Sequence, residues 1–236
     1  RDGVYVGAER DNASPQTSRN SVLRYDSTRT GVLTATTEWN LTSLLPSTSA
    51  NSGIEGVTWI PDATLVRAGF KDSAGRPYQP TAAPHAGGLF VVGLEQTGDL
   101  YVVTLLDNGT ATLVTTMKTG LKSVMEAAWS DSRGELWAAC DNACDGAIAV
   151  FTLSAGGFEI TQYQLPPKGF DKLNDEGLAI GGCAADASPV VWSDDSAGGG
   201  HALRASSIAC RQVALSPTTV AASVGPAPTT TVSTSS

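Results

Sequence analysis

Three segments of this chain place a glutamate ahead of small and apolar residues. They are Ile54-Glu55-Gly56-Val57-Thr58-Trp59, Met125-Glu126-Ala127-Ala128-Trp129 and Asp175-Glu176-Gly177-Leu178-Ala179-Ile180. Equivalent strands set side by side about an axis would bring Glu55, Glu126 and Glu176 together as a ring of carboxylates. Like charges at short range repel unless they share protons or hold a cation, and hard oxygen ligands of this kind suit Ca²⁺. The competing assignment is structural, each glutamate capping its own unit by hydrogen bonding. Asp141, Asn142, Asn174 and Asp175 lie close enough in sequence to extend an oxygen shell.

A second repeat accompanies the first. Lys118 and Lys122 stand eight and four residues before Glu126, and Lys168 and Lys172 stand eight and four before Glu176. Ammonium groups beside a cation-loaded carboxylate ring would hold the phosphate or carboxylate of a small anionic ester. Solvated surface lysines are the alternative, and the Glu55 segment has no equivalent pair. The candidate catalytic set is therefore Glu55, Glu126, Glu176, Lys122 and Lys172, with the three glutamates as metal ligands and the four lysines as the anion site.

Other reactive side chains carry less. Of three ways to pair four cysteines, the spacing favours Cys140 with Cys144 in a tight turn and Cys183 with Cys210 around the last unit. Zinc lacks a second pair at ligand spacing and a nearby histidine. His85 and His201 have no Gly-x-Ser-x-Gly elbow to serve, so both read as structural or surface groups.

Strands must position these residues. Behind each glutamate segment comes an apolar run ending near a carboxylate (Leu89 to Glu95, Leu136 to Asp141, Val190 to Asp194), then a turn and a third run (Leu100 to Leu106, Ala147 to Leu153, His201 to Ser207). Fourth strands are expected at Thr112 to Thr116 and Phe158 to Tyr163. Val4 to Glu9 and Val22 to Tyr25 fit the second and third strands of a unit whose first strand is missing. The glutamates are 71 and 50 residues apart, bracketing the roughly 40 to 50 residues of a four-stranded propeller blade. The surplus falls in Leu65 to Gly87, a Pro- and Gly-containing stretch read as a long inserted loop. The fold expected is all-β, a β-propeller with about four blades present and N-terminal blades absent. A β-sandwich also yields short strands and turns but does not predict the repeated acid. A helix over Met117 to Ala128 is opposed by Gly120 and by the match to the other units.

The chain has 236 residues, 41% hydrophobic and 16% charged, with a net charge of -8 that argues against nucleic acid and anionic membranes. No apolar run reaches the roughly 18 residues of a membrane helix. Four cysteines, three Asn-x-Ser/Thr sequons at Asn12, Asn40 and Asn108, and abundant Gly, Ser and Thr suit secretion. Residues 1 to 214 form the expected folded part, read as a monomer; 215 to 236, rich in Ser, Thr and Pro, read as a disordered tail or a stalk to the cell surface. The opening Arg-Asp-Gly-Val-Tyr-Val, without an initiator Met, reads as the start of a fragment or a processed chain.

Ile54-Glu55-Gly56, Asn174-Asp175-Glu176-Gly177-Leu178-Ala179-Ile180 and Leu136-Trp137-Ala138-Ala139-Cys140-Asp141-Asn142 together resemble the phytase-like propeller family titled "esterase-like activity of phytase". More distantly, the Glu-Gly strand opening is similar to that of β-propeller phytases and of the regucalcin and gluconolactonase group. The resemblance covers roughly residues 1 to 212. It implies a channel Ca²⁺ site at Glu55, Glu126 and Glu176 and hydrolysis of phosphate or carboxylic esters. Met125-Glu126-Ala127 departs from the pattern in lacking the glycine. A non-enzymatic extracellular binding module is the other function class compatible with these features.

Overall fold

A computed structural model describes residues 3–166, 173–184, 186–196 and 198–210. The protein is all-β, with four antiparallel sheets following one another along the chain. The first contains β1 (Val4–Asp11), β2 (Ser14–Tyr25) and β3 (Thr37–Asn40), and the second β4 (Ile54–Pro61), β5 (Gly88–Leu94), β6 (Asp99–Leu105) and β7 (Ala111–Lys118). The third holds β8 (Glu126–Ser130), β9 (Glu135–Ala139), β10 (Ile148–Ser154) and β11 (Gly157–Gln164); the fourth holds β12 (Asp175–Ile180), β13 (Ala187–Asp194) and β14 (Leu203–Ala209). Each sheet is a meander in which consecutive strands pair.

The unbroken apolar runs of β5 and β9 follow from burial on both faces. Successive strand residues point to opposite sides. Phe90, Val92 and Leu94 pack with Val22, Trp39 and Leu41 of the first sheet and its following turn, whereas Leu89 and Val91 join Leu136, Ala138 and Phe151 of the third. In β9 the alternation repeats: Trp137 and Ala139 face Leu178, Val190 and Trp192 of the fourth sheet. Three cores therefore separate four sheets. The outer strand β7 is mostly half-buried or exposed, with Met117 its one buried residue.

The first strands lie next to one another. The Trp129 N–H donates to Thr58 Oγ1 at 3.0 Å, and a Cβ on Gly56 would come within 2.4 Å of Ala127 N. Matching positions thus advance together, and β4 and β8 run parallel. β1 runs the opposite way beside β4: the Gly53 N–H donates to Glu9 Oε2 near its end, and Tyr5 packs at a tilt against Phe90 near its start. That is the direction of a second strand, as the sequence suggested. The rival helix over 117–128, which Gly120 opposed, is absent: its residues are the end of β7, a connecting loop and the start of β8.

The stretch 65 to 87 is not loop throughout. Helix α1 (Asp62–Ala68) ends on Gly69 in the left-handed conformation, φ 70°, and drives Leu65 and Phe70 into the core between the second and third sheets. An amphipathic turn of this length is too short to stand out by periodicity among the prolines that follow. The two disulfides are Cys140 with Cys144 and Cys183 with Cys210, as the spacing indicated. The tail from 215 lies outside the described residues.

Candidate metal centre

Carboxylates collect at the end of the sheets where β4, β8 and β12 begin. Glu9 lies near the end of β1, Glu55 opens β4 and Glu95 follows β5; one oxygen from each lies within 4.8 Å of the others. Ca²⁺ binds oxygens at about 2.3 to 2.6 Å, so two ligands of one ion are at most about 5 Å apart. The three groups fit one such ion. Among the described residues no other trio of His, Cys, Asp or Glu meets this spacing.

Local backbone geometry explains how Glu55 reaches the group. Ile54 pairs with Leu94 but Gly56 pairs with Gly93, leaving Glu55 in a bulge. A bulge frees one residue from the ladder and re-aims its side chain. β12 repeats the device: Asp175 pairs with Asp194, Gly177 with Ser193, and Glu176 is the extra residue. The paired part of β8 begins on Glu126, opposite Ala139, and the Ala139 carbonyl also accepts the Met125 N–H at 2.9 Å, so two residues oppose one there too.

Electrostatics separate the three sequence-predicted glutamates. Burial pushes Glu55 up to about 8, helped by the charges of Glu9, Glu95 and Glu176. Glu95 is raised by burial and by Glu9, Asp141 and Glu176. Glu176 sits at the exposed rim, raised by partial burial and by Asp195, while its bond from Asn174 opposes the rise. Asn142 in turn donates to Asn174 Oδ1, so both amides anticipated as shell members link the third and fourth sheets at this rim. Glu126 differs: burial alone lifts it to about 7, against hydrogen bonds from the backbone of Ala127 and Val57. It fastens β8 to β4.

The other candidates scatter. Asp141 receives Ser123 Oγ–H and the Ala143 N–H, capping the turn that holds the small disulfide. Asp175 is buried opposite Asp194, with both oxygens lacking a hydrogen bond, and burial followed by the Asp194 charge raises it to about 6. It points away from the trio, into the sheet. Lys118 is engaged by Asp99 at 2.6 Å, and Lys122 is exposed, its N–H on Cys144 Sγ. Lys168 and Lys172 lie outside the described residues. His85 is held by Asp62, and His201 is exposed.

Sequence reasoning missed Glu9 and did not give Glu95 a ligand role. A signal was available for Glu95: Glu95 and Asp195 directly follow β5 and β13, and Asp141 stands two residues after β9, whereas Glu9 lies within β1. No protein-family model and no curated protein matches the chain.

Proposed function

We propose that the four sheets are blades of a phytase-like β-propeller, that Glu9, Glu55 and Glu95 bind Ca²⁺ at the mouth of its channel, and that the protein is a secreted Ca²⁺-dependent hydrolase of phosphate or carboxylic esters. The observation that carries the metal part is the convergence of three carboxylates from three chain segments within 4.8 Å. Parallel first strands and a separate core between each successive pair of sheets support the blade reading. Two disulfides suit an oxidising compartment, and no described helix is long and apolar enough to cross a membrane.

Calcium bound there supplies charge that polarises an ester oxygen and lowers the pKa of a coordinated water. The chain's own residues do the rest. Glu55, whose pKa burial raises to about 8, gives up its proton on binding, and Glu176, held by Asn174 at the rim, is placed to accept a proton from water. Of the four candidate lysines, Lys122 is the described one left to meet an anionic group.

A second reading, a binding module that holds calcium without catalysis, is favoured by the pairing of Lys118 with Asp99 and by the surplus of acid around the site, which repels an anionic ester. Calorimetry with Ca²⁺ on the full chain, followed by hydrolysis assays on p-nitrophenyl phosphate and p-nitrophenyl acetate with calcium and with chelator, separates these. We expect binding that Glu55→Gln weakens and chelator-sensitive hydrolysis. Binding without turnover leaves the module; no binding removes both.

A further inference from the structure

We infer that His85 is a pH-released clamp that fastens the inserted segment after α1 to the sheet, closed when its ring is doubly protonated and loosened when it is neutral. The inference rests on hydrogen-bond chemistry at a position remote from the acidic mouth. His85 Nε2 lies 2.9 Å from Asp62 Oδ2, and Nδ1 lies 2.9 Å from the carbonyl oxygen of Ala83. Both partners accept and neither donates while Asp62 is ionised. A neutral imidazole has a single N–H, so one of the two contacts would set lone pair against lone pair. Only the imidazolium satisfies both.

Asp62 gathers the two ends of the insertion. Its Oδ1 accepts the Tyr78 hydroxyl at 2.7 Å, and its N–H donates to the Gly87 carbonyl at 3.0 Å. The turn after β6 joins through the Asp107 N–H on the Pro84 carbonyl at 2.9 Å. The charged and titratable groups facing His85 are Asp62 from α1, Tyr78 from the insertion, Asp107 from that turn and Arg24 from β2. The last two line the same cavity of about 420 Å³, walled by Tyr5, Trp59 and Phe90. The His85 side chain is only 10% exposed. Release would therefore widen the entrance to an aromatic-walled space.

The direction of the pH response follows from linkage. Burial lowers the His85 pKa, but the Asp62 hydrogen bond, the Ala83 carbonyl and the charges of Asp62 and Asp107 together raise it above the ordinary value of 6.5. The clamp is fully closed below the ordinary value and is lost as pH rises through the higher one. Each unit between the clamped and released pKa is worth tenfold in the opening equilibrium.

The test is ¹⁵N NMR titration of the histidine rings in the full chain, with His201→Gln to assign the exposed one, and hydrogen exchange at the amides of Asp62, Tyr78 and Asp107. We expect His85 to titrate above its ordinary value, and those amides, corrected for intrinsic exchange, to open more as pH rises through that titration. His85→Gln should make the opening independent of pH over that range. Asp62→Asn should return the His85 titration to the ordinary value, a readout available even where His85→Gln folds poorly. A His85 titration at or below the ordinary value, or amide opening equally pH-dependent in His85→Gln, would overturn the clamp. An unchanged His85 titration in Asp62→Asn would do so as well.

Discussion

The starts of β4 and β8 are near neighbours that share a glutamate at matching positions, yet they put it to different uses. At β4 the residue after Glu55 is Gly56, the ladder bulges, and the carboxylate leaves the sheet to meet Glu9 and Glu95. At β8 the residue after Glu126 is Ala127, and although Met125 and Glu126 likewise both face Ala139, the carboxylate turns back onto the backbone of Ala127 and Val57. β12, with Gly177 after Glu176, follows β4. A glycine next to the acid marks a glutamate aimed at the mouth; alanine marks one that ties two sheets together. Repetition of an acidic residue identifies equivalent backbone positions, and the neighbouring residue decides what the acid does there.

The largest effect is expected where the two strands touch. A Cβ on Gly56 would lie 2.4 Å from Ala127 N and 2.8 Å from Glu126 Cα, both backbone atoms that cannot swing away. Gly56→Val should destabilise the fold by about 2 to 3 kcal/mol, the scale of an overpacked core, and should displace Glu55 with it. Urea unfolding measures the first consequence and Ca²⁺ calorimetry the second. A variant of native stability would mean that β4 and β8 are not pressed together as described.

Next in size is the pH response of the cation-free protein. Glu55 takes up its proton at about 8 in the fold against 4.5 unfolded, so between those values the folded state holds more protons. Stability from this group is present below pH 4.5 and falls as pH rises through about 8. Thermal unfolding in chelator should show Tm declining over that window, and Glu55→Gln should flatten the decline. Saturating calcium should reverse its sign, because ionised carboxylates bind the ion and binding to the folded state adds stability. A Tm that falls with pH alike in calcium and in chelator would detach the trio from any cation.

Much of the fold was legible in the sequence because burial on two faces writes continuous apolar runs, and β5, β6 and β9 were placed within a residue or two on that basis. β3 was missed: its four residues, Thr37–Asn40, include a single fully buried side chain, Trp39, and so carry no period. α1 was hidden by its length. The site was half legible. Glu55 stood out through its repeated motif, whereas Glu9 belongs to a sheet with no glutamate-bearing first strand and offered nothing to align. Asp175 was a candidate for the oxygen shell, but it is buried opposite Asp194, at the position where β4 carries the buried Ile54.

The smallest effect should come from Glu126→Gln, the substitution that tests whether the β8 glutamate belongs with the trio. The glutamine oxygen can still accept from the Ala127 N–H, and removing a charge whose pKa burial has raised to about 7 offsets the weaker bond. A stability change within about 1 kcal/mol is expected. Calcium affinity should shift by less than about twofold, while Glu55→Gln, which removes a direct ligand, should cost roughly tenfold or more. Equal losses from the two variants would place Glu126 on the ion and erase the distinction drawn from Gly56 and Ala127. Equal indifference would remove Glu55 from the site instead. The difference between the two affinities, measured at one pH and ionic strength, is therefore the quantity that decides whether the glycine beside the acid selects its role.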